Sequence, residues 1–167
     1  MNLILCGMMG CGKTTIGREI AARSGKICCD TDEKIVEKHG RIADIFARYG
    51  EAHFREIETE TVRALAQKDD LVIATGGGLV LKEENVELLK KSGKIVYLRA
   101  KKETLLIRLQ NDGQRHLLQS EKGLSDRLEE LLKARAPIYE NVADHVVDVD
   151  GKTPDEIAAE IIALTEK

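Results

Sequence analysis

The sequence predicts an α/β fold of three layers, with a five-stranded parallel sheet between two layers of helices. Two patterns predict it. Five short apolar segments are spread along the 167 residues, and segments with helical spacing lie between them. The apolar segments are nearly continuous rather than alternating, which is typical of strands that are covered on both faces. Because strands and helices alternate throughout, we expect a parallel sheet and a single domain over residues 1–167.

The predicted strands are short apolar runs: NLILC at 2–6, KICC at 26–29, LVIAT at 71–75, KIVYL at 94–98 and HVVDV at 145–149. The predicted helices cover residues 13–25, 56–68, 84–93, 102–111, 124–136 and 154–167. Gly25 and Gly93 mark helix ends, and Pro137 is expected to stop the fifth helix. Pro154 stands near the first turn of the last helix, where proline is tolerated.

Composition and charge exclude some classes of function. The 26 basic and 29 acidic residues give a net charge of −3, whereas nucleic-acid-binding proteins usually carry a basic excess. Only 3% of the residues are aromatic, which argues against a surface that stacks several bases. No apolar run approaches the roughly 20 residues that span a membrane, and no basic signal segment precedes the first strand. We expect a cytoplasmic monomer that binds neither nucleic acid nor membrane.

The four cysteines form no CxxC pair and no zinc-binding pattern with histidine. We interpret them as small core residues in a reducing compartment. Cys11 differs from the others because it lies inside a glycine-rich loop, where oxidation of the thiol could block the loop.

That loop, GMMGCGKT at Gly7–Thr14, matches the phosphate-binding pattern G-x-x-x-x-G-K-[ST] completely and lies between a predicted strand and a predicted helix. In this motif, backbone N–H groups at a helix N-terminus bind phosphate oxygens. The lysine reaches the terminal phosphates, and the threonine hydroxyl can ligate Mg²⁺. The motif predicts a nucleoside triphosphate with Mg²⁺ at Gly7, Gly10, Cys11, Gly12, Lys13, Thr14 and Thr15.

Two carboxylates, Asp30 and Asp32, follow the second predicted strand. If the chain stays extended there, residues two apart point the same way and Thr31 points opposite. One carboxylate would then help to hold hydrated Mg²⁺, and the other would accept a proton from an attacking hydroxyl. Asp30 with Glu33 equally fits a helix capping box, so both interpretations stay open.

Three consecutive glycines, Gly76–Gly78, follow the third predicted strand. Ligands of parallel α/β sheets bind at the carboxyl ends of the strands. The glycines therefore favour close approach of a substrate to bare backbone N–H groups over a purely structural turn. This segment lacks the lysine and threonine of the first glycine loop, so we expect it to contact an acceptor rather than a triphosphate.

Two arginines are candidates for binding a carboxylate. Arg55 and Glu58 lie three apart on one helical face, which fits either a weak surface ion pair or an arginine held in place for a ligand. Arg135 lies near the end of a helix whose other basic residues are expected to face solvent. Residues 111–123 are polar and carry Arg115, so we expect either an ordinary loop or a mobile flap.

Taken together and in sequence order, the motifs described above and the segments around them resemble the shikimate kinase family over essentially the whole chain. The similar segments are GMMGCGKTT, DTD, IADIFARYGEAHFREIE, TGGG, an arginine-bearing lid and RAPIYENVAD. Many families share the phosphate loop, but its combination with DTD, FRxxE, GGG and RxPxY is far more selective. The family's lid often contains Arg-Pro-Leu-Leu, whereas this chain has Arg115-His116-Leu117-Leu118.

The resemblance implies the P-loop kinase fold with strand order 2-3-1-4-5. It implies ATP- and Mg²⁺-dependent phosphorylation of the 3-hydroxyl of shikimate, in the route to chorismate and the aromatic amino acids. The implied catalytic residues are Lys13, Asp32 as base and Arg115, with Thr14 and Asp30 at the metal. A region over 31–62 would bind substrate, and a lid over 111–124 would close on the phosphates. The implied substrate contacts are Asp32, Phe46, Phe54, Arg55, Glu58, Gly76, Gly77, Gly78 and Arg135, and Arg108 and Pro154 would flank adenine.

Other functions fit parts of the pattern. Gluconate kinase and the nucleoside monophosphate kinases share the phosphate loop and the fold, although the few aromatic residues argue against a nucleotide acceptor. A small sugar acid such as gluconate remains open as the acceptor. A nucleotide-binding switch without transfer activity is a third alternative, but it would not need Asp32 aimed at an acceptor hydroxyl.

Overall fold

The computed structural model describes residues 1–111 and 123–166. Its strands are β1 (Asn2–Cys6), β2 (Ile27–Asp30), β3 (Leu71–Ala74), β4 (Gly93–Arg99) and β5 (His145–Asp148). Its helices are α1 (Lys13–Ser24), α2 (Thr31–His39), α3 (Ile42–Ala66), α4 (Glu83–Ser92), α5 (Lys102–Asn111), α6 (Gly123–Val142) and α7 (Pro154–Thr165), with a 3₁₀ turn at Leu79–Leu81. Most of the predicted lid, including Arg115, lies outside the described residues.

The five strands form one parallel sheet in the order β2-β3-β1-β4-β5, which confirms the predicted strand order. Helices cover both sides of the sheet, with α1 packed against α7 and α3 packed against α4. Leu5 of β1 and Asp30 of β2 both pair with Ala74 of β3. The carboxyl ends of these three neighbouring strands are therefore level, so the segments that follow them lie side by side.

The core has two parts. The larger part contains the apolar residues of the central strands, and every residue of β1 and β3 is buried, as the continuous apolar runs predict. The smaller part lies between α2 and α3 and consists of Ile35, Ile45, Phe54 and Ile57, with Ile42 packed against it. The segment from α2 to the middle of α3 thus has an apolar cluster of its own beside the sheet.

Helix α2 corrects one interpretation of the sequence. The Asp30 side chain accepts a hydrogen bond from the backbone N–H of Glu33 at 3.1 Å, so the helix begins at Thr31. It ends at Gly40, whose φ of 87° favours glycine. The helix-capping role of Asp30 is confirmed, although the described residues show only this half of the reciprocal capping box. The alternative of an extended chain through Asp32 is wrong.

Two other helices differ from their predicted bounds. Helix α3 begins at Ile42 rather than at residue 56 and bends at Gly50, where φ is 85° and ψ is 174°. Helix α6 continues through Pro137 to Val142 instead of stopping at the proline. Proline deprives the carbonyl four residues earlier of its helical N–H partner, and the residue concerned, Lys133, is exposed. Of the described helices, none is long and apolar enough to cross a lipid bilayer.

Candidate active site

The phosphate loop follows β1 and is shaped by glycines with positive φ. Gly7, Gly10 and Gly12 have φ values of 146°, 84° and 96°, in the region that side chains disfavour. A Cβ on Gly7 would lie 2.8 Å from the carbonyl oxygen of Leu98, so a side chain does not fit there. Helix α1 starts at Lys13, which directs its N-terminus at the loop. This geometry suits the binding of phosphate oxygens by backbone N–H groups.

The side chains of the loop have defined positions. Nζ of Lys13 donates to the carbonyl oxygens of Gly7 at 2.5 Å and of Met8 at 3.2 Å, so the ammonium group lies over the loop. Cys11 is buried, as expected of a small core residue, whereas Thr15 is exposed on α1.

Of the two residues predicted to flank adenine, only Arg108 contacts the phosphate loop. Its Nη1 atom donates to the carbonyl oxygen of Cys11 at 2.9 Å, which ties α5 to the loop. Pro154 is exposed at the first position of α7, behind a capping box formed by Thr153 and Glu156.

Thr14 and Asp30 bring two oxygens together where a metal ion is expected. The Thr14 hydroxyl donates to Oδ2 of Asp30, while Oδ1 of Asp30 caps α2. The two interpretations of Asp30 are therefore compatible, since each carboxylate oxygen has its own partner. Groups of three or more histidine, cysteine or acidic side chains that could enclose a metal are absent from the described part of the chain. Two protein oxygens beside a phosphate loop fit Mg²⁺, which usually retains water and phosphate ligands.

Asp32 lies in the first turn of α2 and is largely shielded from solvent. Burial raises its pKa, and the nearby negative charge of Asp30 raises it further, while Lys13 and Arg55 act in the opposite direction. A Cβ on Gly76 would lie 2.8 Å from Oδ1 of Asp32, so the carboxylate lies directly against this glycine. The carboxylate is thus placed between the phosphate loop and the glycine segment after β3.

Glu58 holds Arg55 in position. The two side chains form a hydrogen-bonded ion pair of 2.6 Å, and Glu58 is only 1% exposed. Burial raises the pKa of Glu58, and the Arg55 guanidinium opposes this shift. Glu51 adds a longer contact of 3.4 Å to Arg55. Because Glu58 is buried, this is not a weak surface pair, and the interpretation of Arg55 as a fixed arginine is favoured.

The three glycines make room for charged side chains. A Cβ on Gly78 would lie 2.7 Å from both terminal nitrogens of Arg55, and a Cβ on Gly77 would lie 3.1 Å from Nη1 of Arg135. Two guanidinium groups, one from α3 and one from α6, therefore lie against neighbouring glycines. Arg55, Arg135 and Asp32 surround one small region at the carboxyl edge of the sheet.

Phe46 and Phe54 lie beside this region on α3. Their ring centroids are 4.9 Å apart, and the guanidinium of Arg55 lies 5.3 Å from the centroid of Phe54. Phe54 is buried in the smaller core, whereas Phe46 is 38% exposed and can contact a ligand.

Sequence reasoning missed two polar residues that hold the glycines. The buried hydroxyl of Thr31 accepts from the N–H of Gly76 at 2.9 Å, so this N–H is already used inside the protein. The hydroxyl of Tyr139 donates to the carbonyl oxygen of Gly77 at 2.6 Å. Tyr139 lies four residues after Arg135, on the same helical face, and this spacing could have indicated a shared role.

Comparisons with known proteins agree with this geometry. A sequence model of the family described as shikimate kinase matches residues 9–166. The shikimate kinase of Thermodesulfovibrio yellowstonii is 43% identical over 167 residues, covering 99% of this chain and 95% of the relative. That of Chromobacterium violaceum is 46% identical over 148 residues, covering 88% and 80%.

Solved structures give the same result. Shikimate kinase from Acinetobacter baumannii in complex with shikimate matches with a TM-score of 0.90 and 39% identity, covering 98% of this chain and 91% of that one. Shikimate kinase from Bacteroides thetaiotaomicron matches with a TM-score of 0.91 and 30% identity, covering 100% and 99%.

The phosphate loop, the sheet order and the basic pocket beside Asp32 define a P-loop kinase that acts on a small molecule. The match over residues 9–166 and the identity to curated relatives make the assignment more specific: the chain belongs to the shikimate kinase family. The predictions of fold, family and enzyme class are confirmed.

Proposed function

We propose that this chain transfers the γ-phosphoryl group of ATP to the 3-hydroxyl of shikimate. Membership of the family supports both ATP as the donor and shikimate as the acceptor. The observation that carries the proposal is the position of Arg55. Buried Glu58 holds its guanidinium against Gly78, within the electrostatic reach of Asp32. A fixed cation beside a partly buried carboxylate suits an acceptor that has both a carboxylate and hydroxyl groups.

Arg55 and Arg135 would bind the carboxylate of the acceptor. Both guanidinium groups reach the glycine segment, and a planar guanidinium can donate two parallel hydrogen bonds to one carboxylate. Phe46 and Phe54 would line the apolar side of the ring. The N–H groups of Gly77 and Gly78 donate to no acceptor within the described residues, so they remain free for the substrate.

Asp32 would bind the reacting hydroxyl and accept its proton. Its raised pKa makes the carboxylate a stronger base than an exposed aspartate, while the positive charges of Lys13 and Arg55 oppose this shift and favour the ionised form. Its place between the phosphate loop and the glycine segment is the place that an attacking hydroxyl requires.

Lys13 would contact the terminal phosphates, and Thr14 and Asp30 would hold Mg²⁺, directly or through water. A bound Mg²⁺ neutralises charge on the transferring phosphoryl group. Arg108 and Pro154 remain the proposed neighbours of adenine, and Arg115 the proposed cation of the lid. The hydrogen bonds of Arg108 to the phosphate loop support its assignment.

We also propose the organisation predicted from the sequence: one domain over residues 1–167, with a substrate-binding region at 31–62 and a lid at 111–124. A match to one family over residues 9–166 supports the single domain, and the separate apolar cluster between α2 and α3 supports the substrate-binding region. A monomeric state, a cytoplasmic location and the absence of nucleic-acid or membrane binding stay predictions.

Release of ADP with a panel of acceptors tests this function. The purified chain is mixed with ATP and Mg²⁺ and then with shikimate, gluconate, a nucleoside monophosphate or no acceptor. We expect rapid ADP release with shikimate alone, and its loss when EDTA removes Mg²⁺. Activity with gluconate alone, or the same slow release in every mixture, would contradict the proposal.

A further inference from the structure

Tyr139 is a buried polar residue that none of the proposed catalytic or ligand-binding roles uses. It lies on α6, is 0% exposed and packs against the ring of Tyr97 with a centroid distance of 5.1 Å. Its hydroxyl donates a hydrogen bond to the carbonyl oxygen of Gly77 at 2.6 Å. A buried hydroxyl is normally satisfied, but its partner here is the middle glycine of the candidate acceptor site.

This contact fixes more than one carbonyl group. The C=O of Gly77 and the N–H of Gly78 belong to the same planar trans peptide and point in opposite directions. A hydrogen bond that holds the carbonyl from the α6 side therefore fixes the direction of the Gly78 N–H on the other side. Glycine resists rotation of its backbone less than other residues do, so an external anchor has more effect here than in an ordinary loop.

Arg135 adds a second link. It lies four residues before Tyr139, and its guanidinium is close enough to interact with the Tyr139 hydroxyl. A hypothetical Cβ on Gly77 would lie 3.1 Å from Nη1 of Arg135 and 3.8 Å from the hydroxyl of Tyr139. A tyrosine hydroxyl can donate one hydrogen bond and accept others, so it can serve both neighbours. Burial raises the pKa of Tyr139, which favours the protonated hydroxyl that donates to Gly77.

We propose that Tyr139 is a positioning residue for the acceptor: its hydroxyl holds the Gly77–Gly78 peptide and the Arg135 guanidinium in the arrangement that binds shikimate. The inference rests on the proposed function and adds a residue that does not touch the substrate. Tyr139 should therefore affect the affinity for shikimate and not the affinity for ATP, since Lys13 and Thr14 lie on a different loop.

The test compares Tyr139→Phe with Tyr97→Phe in the full chain. Both substitutions remove one hydroxyl from the same buried ring pair, but only Tyr139 bonds to the glycine segment. Binding of shikimate and of ATP is measured by calorimetry, kcat and KM by ADP release, and folding by thermal unfolding of the same samples. For Tyr139→Phe we expect the Kd and KM of shikimate to rise about fivefold, as the loss of one hydrogen bond predicts. The Kd of ATP should stay unchanged, and Tyr97→Phe should bind both ligands like the unmodified chain.

Three results would overturn the inference. The first is a Tyr139→Phe variant that binds shikimate as tightly as Tyr97→Phe does. The second is a parallel fall in the affinities for shikimate and ATP, and the third is a loss of stability and kcat alone; both indicate a purely structural role. Failure of the unmodified chain to bind shikimate would overturn the proposed function, and this inference with it, so the two failures are distinguishable.

Discussion

Asp32 and Glu58 are two carboxylates that the fold keeps from solvent, and burial raises the pKa of both. In the pH range between the unfolded and the folded pKa of such a group, the native state binds more protons than the unfolded state. Stability therefore falls as the pH rises through this range, and above this range the ionised group lowers the free energy of unfolding. Both destabilising carboxylates lie in the candidate active site, where Asp32 is the proposed base and Glu58 positions Arg55.

Replacing Asp32 by asparagine should separate stability from activity. We expect Asp32→Asn to lower kcat by at least about 100-fold, because a general base is lost, and to raise the Tm, because a buried charge is removed. Steady-state kinetics and calorimetric unfolding measure the two effects. Asp44→Asn, at an exposed aspartate on α3, is the matched control and should change neither. Full turnover by Asp32→Asn would remove Asp32 as the base.

If Asp32 is the base, kcat should depend on pH. A base must be deprotonated, so turnover should fall as the pH drops through the pKa of Asp32, which lies above the usual value of about 3.9 for an aspartate. The acid limb should be absent from the residual kcat profile of Asp32→Asn, because this variant has no carboxylate to protonate at that position. An acid limb that persists in Asp32→Asn would contradict the assignment.

Arg55 is expected to contribute to both binding and stability. Arg55→Ala should weaken shikimate binding at least about tenfold, because a desolvated carboxylate loses its partner. It should also lower the free energy of unfolding by about 3 kcal/mol, because Glu58 is left buried without a cation.

The control for Arg55→Ala is the double variant Arg55→Ala with Glu58→Gln. This double variant should recover much of the lost stability and none of the lost affinity for shikimate. Arg135→Ala should show the same loss of shikimate affinity. Calorimetry and chemical denaturation follow the two properties separately. Unchanged affinity for shikimate in either arginine variant would contradict the assignment of these arginines.

At the scale of elements, the two glycine segments have different tasks. The first bends around the place for phosphates, with positive φ at Gly7, Gly10 and Gly12. The segment Gly76–Gly78 has no positive φ, and the small size of its glycines matters because Asp32, Arg135 and Arg55 lie against them. The glycines of the second segment therefore leave room for the side chains that bind the acceptor.

Adding one methyl group to this segment should affect one ligand only. Gly78→Ala would place its Cβ 2.7 Å from the Arg55 guanidinium, and Gly77→Ala would place it 3.1 Å from Arg135. We expect both variants to lose most of their affinity for shikimate and to retain affinity for ATP, with the larger effect at Gly78. Titration of each ligand by calorimetry checks this. Equal losses of both affinities would indicate general damage to the fold.

The sequence predicted the elements whose causes are local. Continuous apolar runs identified every strand, and the phosphate loop was complete as a motif. The start of helix α2 was left undecided because it depends on a single capping bond, which Asp30 accepts from the N–H of Glu33, in a segment that also fits an extended chain. Helix α6 passes through Pro137 although proline is disfavoured in a helix interior, so propensity predicted the end of this helix too early.

At the scale of the whole molecule, the strand order creates the site. The phosphate loop, Asp30 and Asp32, and the three glycines are far apart in the sequence, but they follow β1, β2 and β3, which are neighbours with level ends. Helices α3 and α6 then add Arg55 and Arg135. The burial of Glu58 and the hydrogen bond from Tyr139 to Gly77 depend on this assembly. The spacing of Arg135 and Tyr139 indicates a shared role, but it does not identify Gly77 as the partner.

The positive charges of the site are also concentrated at this edge of the sheet. The net charge is −3, yet Lys13, Arg55, Arg108 and Arg135 gather around the carboxyl edge of the sheet. A cluster of cations on an acidic protein favours small anions over large polyanions such as nucleic acid.

The most direct test of the account is the structure of the product. The purified chain is incubated with ATP, Mg²⁺ and shikimate, and the product is examined by proton–phosphorus NMR. The account predicts one new phosphate ester whose phosphorus couples to the proton on carbon 3 of the shikimate ring, together with one equivalent of ADP. Phosphorus on another hydroxyl, or ADP with inorganic phosphate and unmodified shikimate, would contradict it.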